Sequence, residues 1–314
     1  MRQRLLFLFL LLSLAATGLA EPPGRTIAIT FDDLPAGSVL RPDADGMRQI
    51  LLPIVEACTA RSIPAIGFVN ENKLEVDGKV EPARRELLAE WLEAGLALGN
   101  HSYSHPDLHH TPTADYLEDV ARGEVETRAL LAARGEELAW FRHPFLHTGR
   151  SLEAKRAVLR FLAERGVAEA PVTVDNDDYL FAAAWDRAAE RGDEAMQQRL
   201  EAAYVPYMVA KVAYYEEQSR ALFGREIPLV LLVHANSINA RRFGALADAL
   251  TERGYRFVPL AEAVADPAYD SPDEYTGPAG ISWIHRWALT KGVEKGFFAG
   301  EPETPEWVAE AASP

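Results

Sequence analysis

Two aspartates stand side by side at Asp32 and Asp33, closing the apolar run Thr26-Ile27-Ala28-Ile29-Thr30-Phe31. Neighbouring side chains of a strand point to opposite faces, so an adjacent acidic pair is no amphipathic pattern. At the end of a strand, where the chain leaves the sheet, both can converge on one site. Adjacent like charges repel, and a bound cation would relieve that repulsion. Further along, His101 and His105 are separated by three residues, with Pro106 directly after. On a helical turn two imidazoles at that spacing face the same way, and the proline pushes His105 to the end of such a turn. With one carboxylate they would form a His₂Asp set that leaves positions open for water and substrate, as catalytic zinc requires. Taken singly, each motif has a plainer alternative: a polar turn after a strand, or a surface histidine pair.

The elements that would bring these residues together follow a βα rhythm. Apolar runs that read as strands are Thr26–Phe31, Ile63–Val69, Leu96–Asn100, Leu138–Arg142, Pro171–Asp175, Leu229–Val233 and Tyr255–Pro259. Amphipathic segments over Gly46–Arg61, Glu81–Ala94, Ala114–Arg134, Ser151–Arg165 and Ala240–Arg253 alternate with them, at the spacing βα units need. The pattern predicts an α/β fold, a distorted (β/α)7-type barrel, with an open doubly wound sheet as the structural alternative. Asp32, Asp33, His101, His105, Arg142, Asp178 and His234 all fall at or just beyond strand ends, the rim where barrels carry active sites. Two regions break the rhythm: a helical insertion over about 182–225, and a Pro- and aromatic-rich extension over 266–314. The extension carries a further helix over Ile281–Leu289, with Trp283 and Trp287 on one face, more in keeping with packing than with a substrate platform.

Residues 1–20 combine a basic start, Met1-Arg2-Gln3-Arg4, with the apolar run Leu5–Leu14 and small residues before Ala20, the pattern of a secretory signal peptide. The expected product is exported, periplasmic or secreted, with no stable membrane insertion after cleavage. Cys58 is the single cysteine, so no disulfide forms within one chain. The net charge is −15, or −17 once Arg2 and Arg4 leave with the leader, which argues against nucleic acid and anionic membranes as partners. A neutral or amino-bearing substrate suits that surface better. Oligomeric state leaves no mark on the sequence.

Five segments in order resemble the motifs of the NodB-homology polysaccharide deacetylases, carbohydrate esterase family 4: Thr30-Phe31-Asp32-Asp33, His101-Ser102-Tyr103-Ser104-His105, Arg142-His143-Pro144-Phe145, Asp175-Asn176-Asp177-Asp178-Tyr179 and Leu232-Val233-His234. The resemblance spans 26–265 and implies a deacetylase domain over 21–265. It implies Asp32 as general base, Asp33, His101 and His105 as metal ligands, and Arg142 as the partner holding Asp32 and lowering its pKa. It further implies His234 as general acid oriented by Asp178, Tyr179 and Leu232 against the acetyl methyl, and the Phe145 backbone N–H at the oxyanion. Zinc is the expected ion, though cobalt or nickel would suit the same ligands. His109, His110, His143, His147 and His285 are expected to stay outside the chemistry.

The sequence departs from the family pattern at Leu34, where glycine is usual, at Tyr179, where tryptophan is, and at Phe145, where tyrosine is common. Leucine adopts a positive φ only at a cost, so the turn and the cleft rim are expected to differ there. The function implied is hydrolysis of a linear amide: removal of N-acetyl groups from an extracytoplasmic polysaccharide or oligosaccharide, with release of acetate. An amidase or O-acetyl esterase on the same fold, and a non-catalytic glycan-binding relative, are the alternatives. The binder would be expected to lose an acid, base or ligand, and none is missing.

Overall fold

The computed structural model describes residues 24–37 and 40–313, so the expected leader lies outside the described residues. Among them, nine strands form: β1 Thr26–Leu34, β2 Ile66–Val69, β3 Glu75–Val76, β4 Lys79–Val80, β5 Ala97–Asn100, β6 Trp140–Phe141, β7 Ala168–Glu169, β8 Leu229–His234 and β9 Arg256–Phe257. β3 and β4 make a small antiparallel hairpin. The other seven form one parallel sheet in the order β7-β6-β5-β2-β1-β8, with β9 against β1. Ile27 pairs with Leu229 on one side and Phe257 on the other, and from Thr30 upward β2 takes the side that β9 holds below. The sheet curls until the segment after β7 meets β8 through the parallel bridge Val174 to Leu231. A distorted α/β barrel results, as the βα rhythm predicts.

β1 is the central stave and is buried along nearly its whole length, as a parallel strand covered on both faces must be. Phe31 anchors it, its ring edge-on to Trp91 at 5.7 Å and to Phe243 at 4.9 Å. The helices Ala44–Ala60 and Ser237–Glu252, which follow β1 and β8, pack against each other outside the sheet.

Three elements differ from expectation. Regular pairing in the fifth run falls at Ala168–Glu169, and 171–175 keeps only the bridge at Val174. Pro171 brings no N–H to a ladder, and the Thr173 hydroxyl, not its backbone, accepts the Val230 N–H at 2.7 Å. The single helix expected over 114–134 is two, Thr113–Arg122 and Val125–Ala132, broken at Gly123. A Cβ on Gly123 would lie 2.2 Å from the Ser102 carbonyl carbon, so the break admits the loop that carries the two histidines. Third, the left-handed residue of the first motif is Asp33, at φ 73, not position 34.

The insertion comprises Asp178–Glu190 and Glu194–Phe223, and the C-terminal part adds helices Trp283–Thr290 and Glu306–Ala312. Trp283 and Trp287 are buried, so their stripe packs. The terminal helix lies along Asp178–Glu190, tying the chain end to the fourth motif.

Leu34 continues β1, fully buried, and covers Gly67 so closely that a Cβ there would sit 2.3 Å from Leu34 Cδ2. The side chain that replaces the usual glycine therefore fills core space. Leu34→Ala should lower the unfolding free energy by ~2–5 kcal/mol, read from urea denaturation.

Candidate active site

A bulge in β1 resolves the adjacent acids. Phe31 pairs with Gly67 and Leu34 with Val69, so β1 carries one residue more than β2 across that interval. The extra residue re-aims a side chain, and with Asp33 in the left-handed region both carboxylates line one cleft. That cleft has a volume of about 600 Å³, and His101, His105, Tyr179, Leu232 and His234 share its walls.

Asp32 rests on Arg142, whose Nη1 donates to its two oxygens at 3.2 and 3.4 Å. The guanidinium is fully buried and fixed on every side: Nε donates to the Ala170 carbonyl at 2.9 Å, Nη2 to Thr30 Oγ1 at 3.2 Å, and the Phe68 ring lies 4.6 Å away. Burial pushes the Asp32 carboxyl above its usual range, and the charge of Arg142 offsets that only in part. The expected net lowering by Arg142 is thus reversed, because desolvation of a fully buried carboxylate outweighs one ion pair.

The histidine loop is not the helical turn expected. Ser102 and His105 both take left-handed φ, 68 and 59, so the chain doubles back between the two imidazoles. The Asn100 side chain holds the loop, donating to the Val120 carbonyl and accepting the Ser102 N–H at 2.6 Å. His101 Nδ1 meets the Arg142 carbonyl at 2.8 Å, which fixes the ring and frees Nε2 for the cleft. The His101 and His105 rings are 4.9 Å apart, and ligand atoms of Asp33, His101 and His105 lie within 4.8 Å of one another. Burial holds His101 down to about 3 and His105 to about 4, so both present neutral nitrogens, the form a metal needs. Asp33 lies well below the carboxylate range: burial would raise it, but the Lys73 ammonium 3.0 Å away and the His234 imidazolium outweigh that.

Across the cleft, His234 closes β8. Its backbone N–H donates to Asp178 Oδ2 at 2.8 Å, and its Nδ1 meets Asp178 Oδ1 at 2.6 Å. Asp178, fully buried, also accepts from Asn239 at 2.6 Å and Asn236 at 3.2 Å. Burial alone would lower the His234 pKa, but the Asp178 charge and hydrogen bond carry it up to about 9. Phe145, half-exposed at φ 56, sets its ring edge-on to His105 at 4.5 Å. Gly280 of the C-terminal extension lies against the Phe145 carbonyl, where a Cβ would come within 1.8 Å.

All ten candidate residues thus meet at one end of the barrel: eight in or beside the cleft, with Arg142 and Asp178 directly beneath Asp32 and His234. Sequence reasoning missed three contributors. Lys73 belongs to no motif. Gly123 works by being small. His147 lines the cleft, where it stacks on His109 at 3.8 Å and bonds Asp107 at 2.7 Å.

A family model described as polysaccharide deacetylase matches residues 20–164. No curated protein matches the sequence. Among solved structures, a mutant of a CE4 family pseudoenzyme with restored enzymatic activity is 17% identical at a TM-score of 0.50, covering 77% of this chain and 68% of that one. The wild-type pseudoenzyme, from Bacillus anthracis, gives 15% and 0.49 over 77% and 66%. The peptidoglycan deacetylase PdaC from Bacillus subtilis gives 20% and 0.47 over 80% and 96%. At 17% identity the first is a likeness of fold.

Replacing Asp178 leaves burial as the main influence on His234. In chelator-treated protein, NMR titration should place the His234 pKa near 9 in the wild type and below 6.5 in Asp178→Asn. Because the folded pKa is the raised one, the stability this pair adds is complete below pH 6.5 and is lost as pH rises through about 9.

Proposed function

We propose, from the premise that this chain belongs to the polysaccharide deacetylase family, that it removes N-acetyl groups from an extracytoplasmic glycan, releasing acetate and leaving a free amine. The observation that carries this reading is the pairing of two opposite proton-transfer groups across one cleft. Asp32 is a buried carboxylate on a fixed arginine, and His234 is an imidazole that holds its proton to about pH 9. Asp33, His101 and His105 supply a carboxylate and two neutral imidazoles, with His101 Nδ1 already on a backbone carbonyl, a donor set that fits zinc and also suits cobalt or nickel. Bound there, the ion would polarise the acetyl carbonyl and make water more acidic.

The chain's own residues supply the rest. Asp32 takes the proton from the attacking water, and Arg142 keeps the carboxylate in place as it does so. The Phe145 backbone N–H is assigned to the oxygen that gains charge, a contribution of ~3 kcal/mol in comparable sites. His234, steadied by Asp178, gives its proton to the departing nitrogen, without which an amine leaves poorly. Leu232 and Tyr179 would enclose the acetyl methyl, with Tyr179 leaving more room than the usual tryptophan. The acidic surface suits a neutral or amino-bearing glycan better than a polyanion.

Acetate release from acetylated chitooligosaccharides and peptidoglycan fragments tests the proposal. Asp32→Asn should reduce kcat by ~10²–10⁴-fold while keeping its metal. His101→Ala should lose the metal by elemental analysis. Full activity in Asp32→Asn would remove it as the base, and metal binding without release on any glycan would favour a small-amide enzyme or a binding protein.

A further inference from the structure

The carboxylate assigned to the metal already carries a cation from the chain itself. Lys73 Nζ lies 3.0 Å from Asp33 Oδ1, the same oxygen that faces His105 Nε2 at 3.9 Å. It also donates to the Asp33 backbone carbonyl at 3.1 Å. The lysine is set there by a short turn, Glu71–Leu74, that directly follows β2, and its own carbonyl accepts from Arg84 Nη1 at 2.9 Å. This is therefore a built contact, with the backbone anchored at the base of a flexible stem.

The charge balance gives the contact its meaning. Each of the two acids of the first motif already has a paired cation: Asp32 has Arg142 at 3.2 Å and Asp33 has Lys73 at 3.0 Å. Below the cleft Asp178 is likewise matched by His234. A divalent ion arriving at Asp33, His101 and His105 meets acids that are already neutralised, and on Oδ1, the oxygen that faces His105, it would share its ligand with Lys73. Two like charges on one carboxylate oxygen repel strongly in a partly buried site, where solvent screens them little. Lys73 also lines a second cavity, together with Asn72, Asp43 and Arg84 among others.

We propose that Lys73 competes with the metal ion for Asp33 and so sets how tightly the protein holds a divalent cation. The inference rests on the metal assignment made above. Lys73 thereby makes the ion exchangeable, and occupancy follows the supply of free metal.

The test is direct calorimetric titration of chelator-stripped protein with zinc chloride, for the wild type, Lys73→Met, Lys73→Gln and Lys73→Arg. Removing the charge should tighten zinc binding at least ~10-fold in both Lys73→Met and Lys73→Gln, while Lys73→Arg stays near the wild type. Circular dichroism melts in chelator show which variants are folded, and either neutral variant alone suffices. Unchanged or weaker binding in the folded neutral variants would overturn the proposal, as would equal tightening in Lys73→Arg. His101→Ala separates the two levels: if zinc still binds there with wild-type affinity, the metal assignment fails, and with it the role of Lys73.

Discussion

Arg142 is the constraint on which the rest of the site depends. Its guanidinium, with no exposed surface, joins the Asp32 carboxylate, the Thr30 hydroxyl and the Ala170 carbonyl, while its own carbonyl fixes the His101 ring. One residue thus ties the bulged end of β1, the segment leading out of β7 and the histidine loop into a single frame. A buried ion pair is poor evidence of stability, since removing two charges from water costs about what their attraction returns. Its value here is positional. A carboxylate buried beside a fixed cation cannot turn away, and burial still raises its affinity for a proton, which suits the role of base proposed for it.

Strain around the cleft follows from the same demand for converging side chains. Asp33, Ser102, His105, Phe145 and Leu146 all take left-handed backbone angles that non-glycine residues avoid. Each occurs where the chain must reverse at the end of a strand or in the loop beyond it. The insertion and the C-terminal extension brace this rim. Tyr207 donates to Asp177 of the fourth motif at 3.4 Å, Thr304 does so at 2.8 Å, and Lys211 reaches Glu301 across the two regions. The helix start that carries Asp178 and Tyr179 is therefore held at Asp177 by parts of the chain that lie outside the β/α repeat.

Much of this could be read in the sequence, and the limits have physical causes. Strand ends could be recognised because apolar runs stop at polar residues, and that alone placed Asp32, His101, Arg142 and His234 on one rim. The alternation of side chains along a strand could flag Asp32-Asp33 as anomalous, but it could not supply the bulge, which exists only in the pairing of β1 with β2. Spacing suggested a helical turn for His101 and His105, because the close approach of Gly123 that permits the reversed loop comes from elsewhere in the chain. The direction of the Asp32 shift was missed for a similar reason: its partner can be read from a motif, but the depth of its burial cannot. Lys73 left no signal at all, since a lysine after a strand is ordinary until the fold sets it on Asp33.

Division of labour across the cleft is the central claim: Asp32 works without its proton and His234 with one. The pH dependence of kcat/KM for acetate release tests it most directly, because that profile reports ionisations of the free enzyme. The account predicts a bell, rising as Asp32 ionises and falling on the alkaline side of neutrality as His234 loses its proton. A rate that climbs without a maximum through pH 10, far above the ~6.5 of an ordinary imidazole, would contradict it.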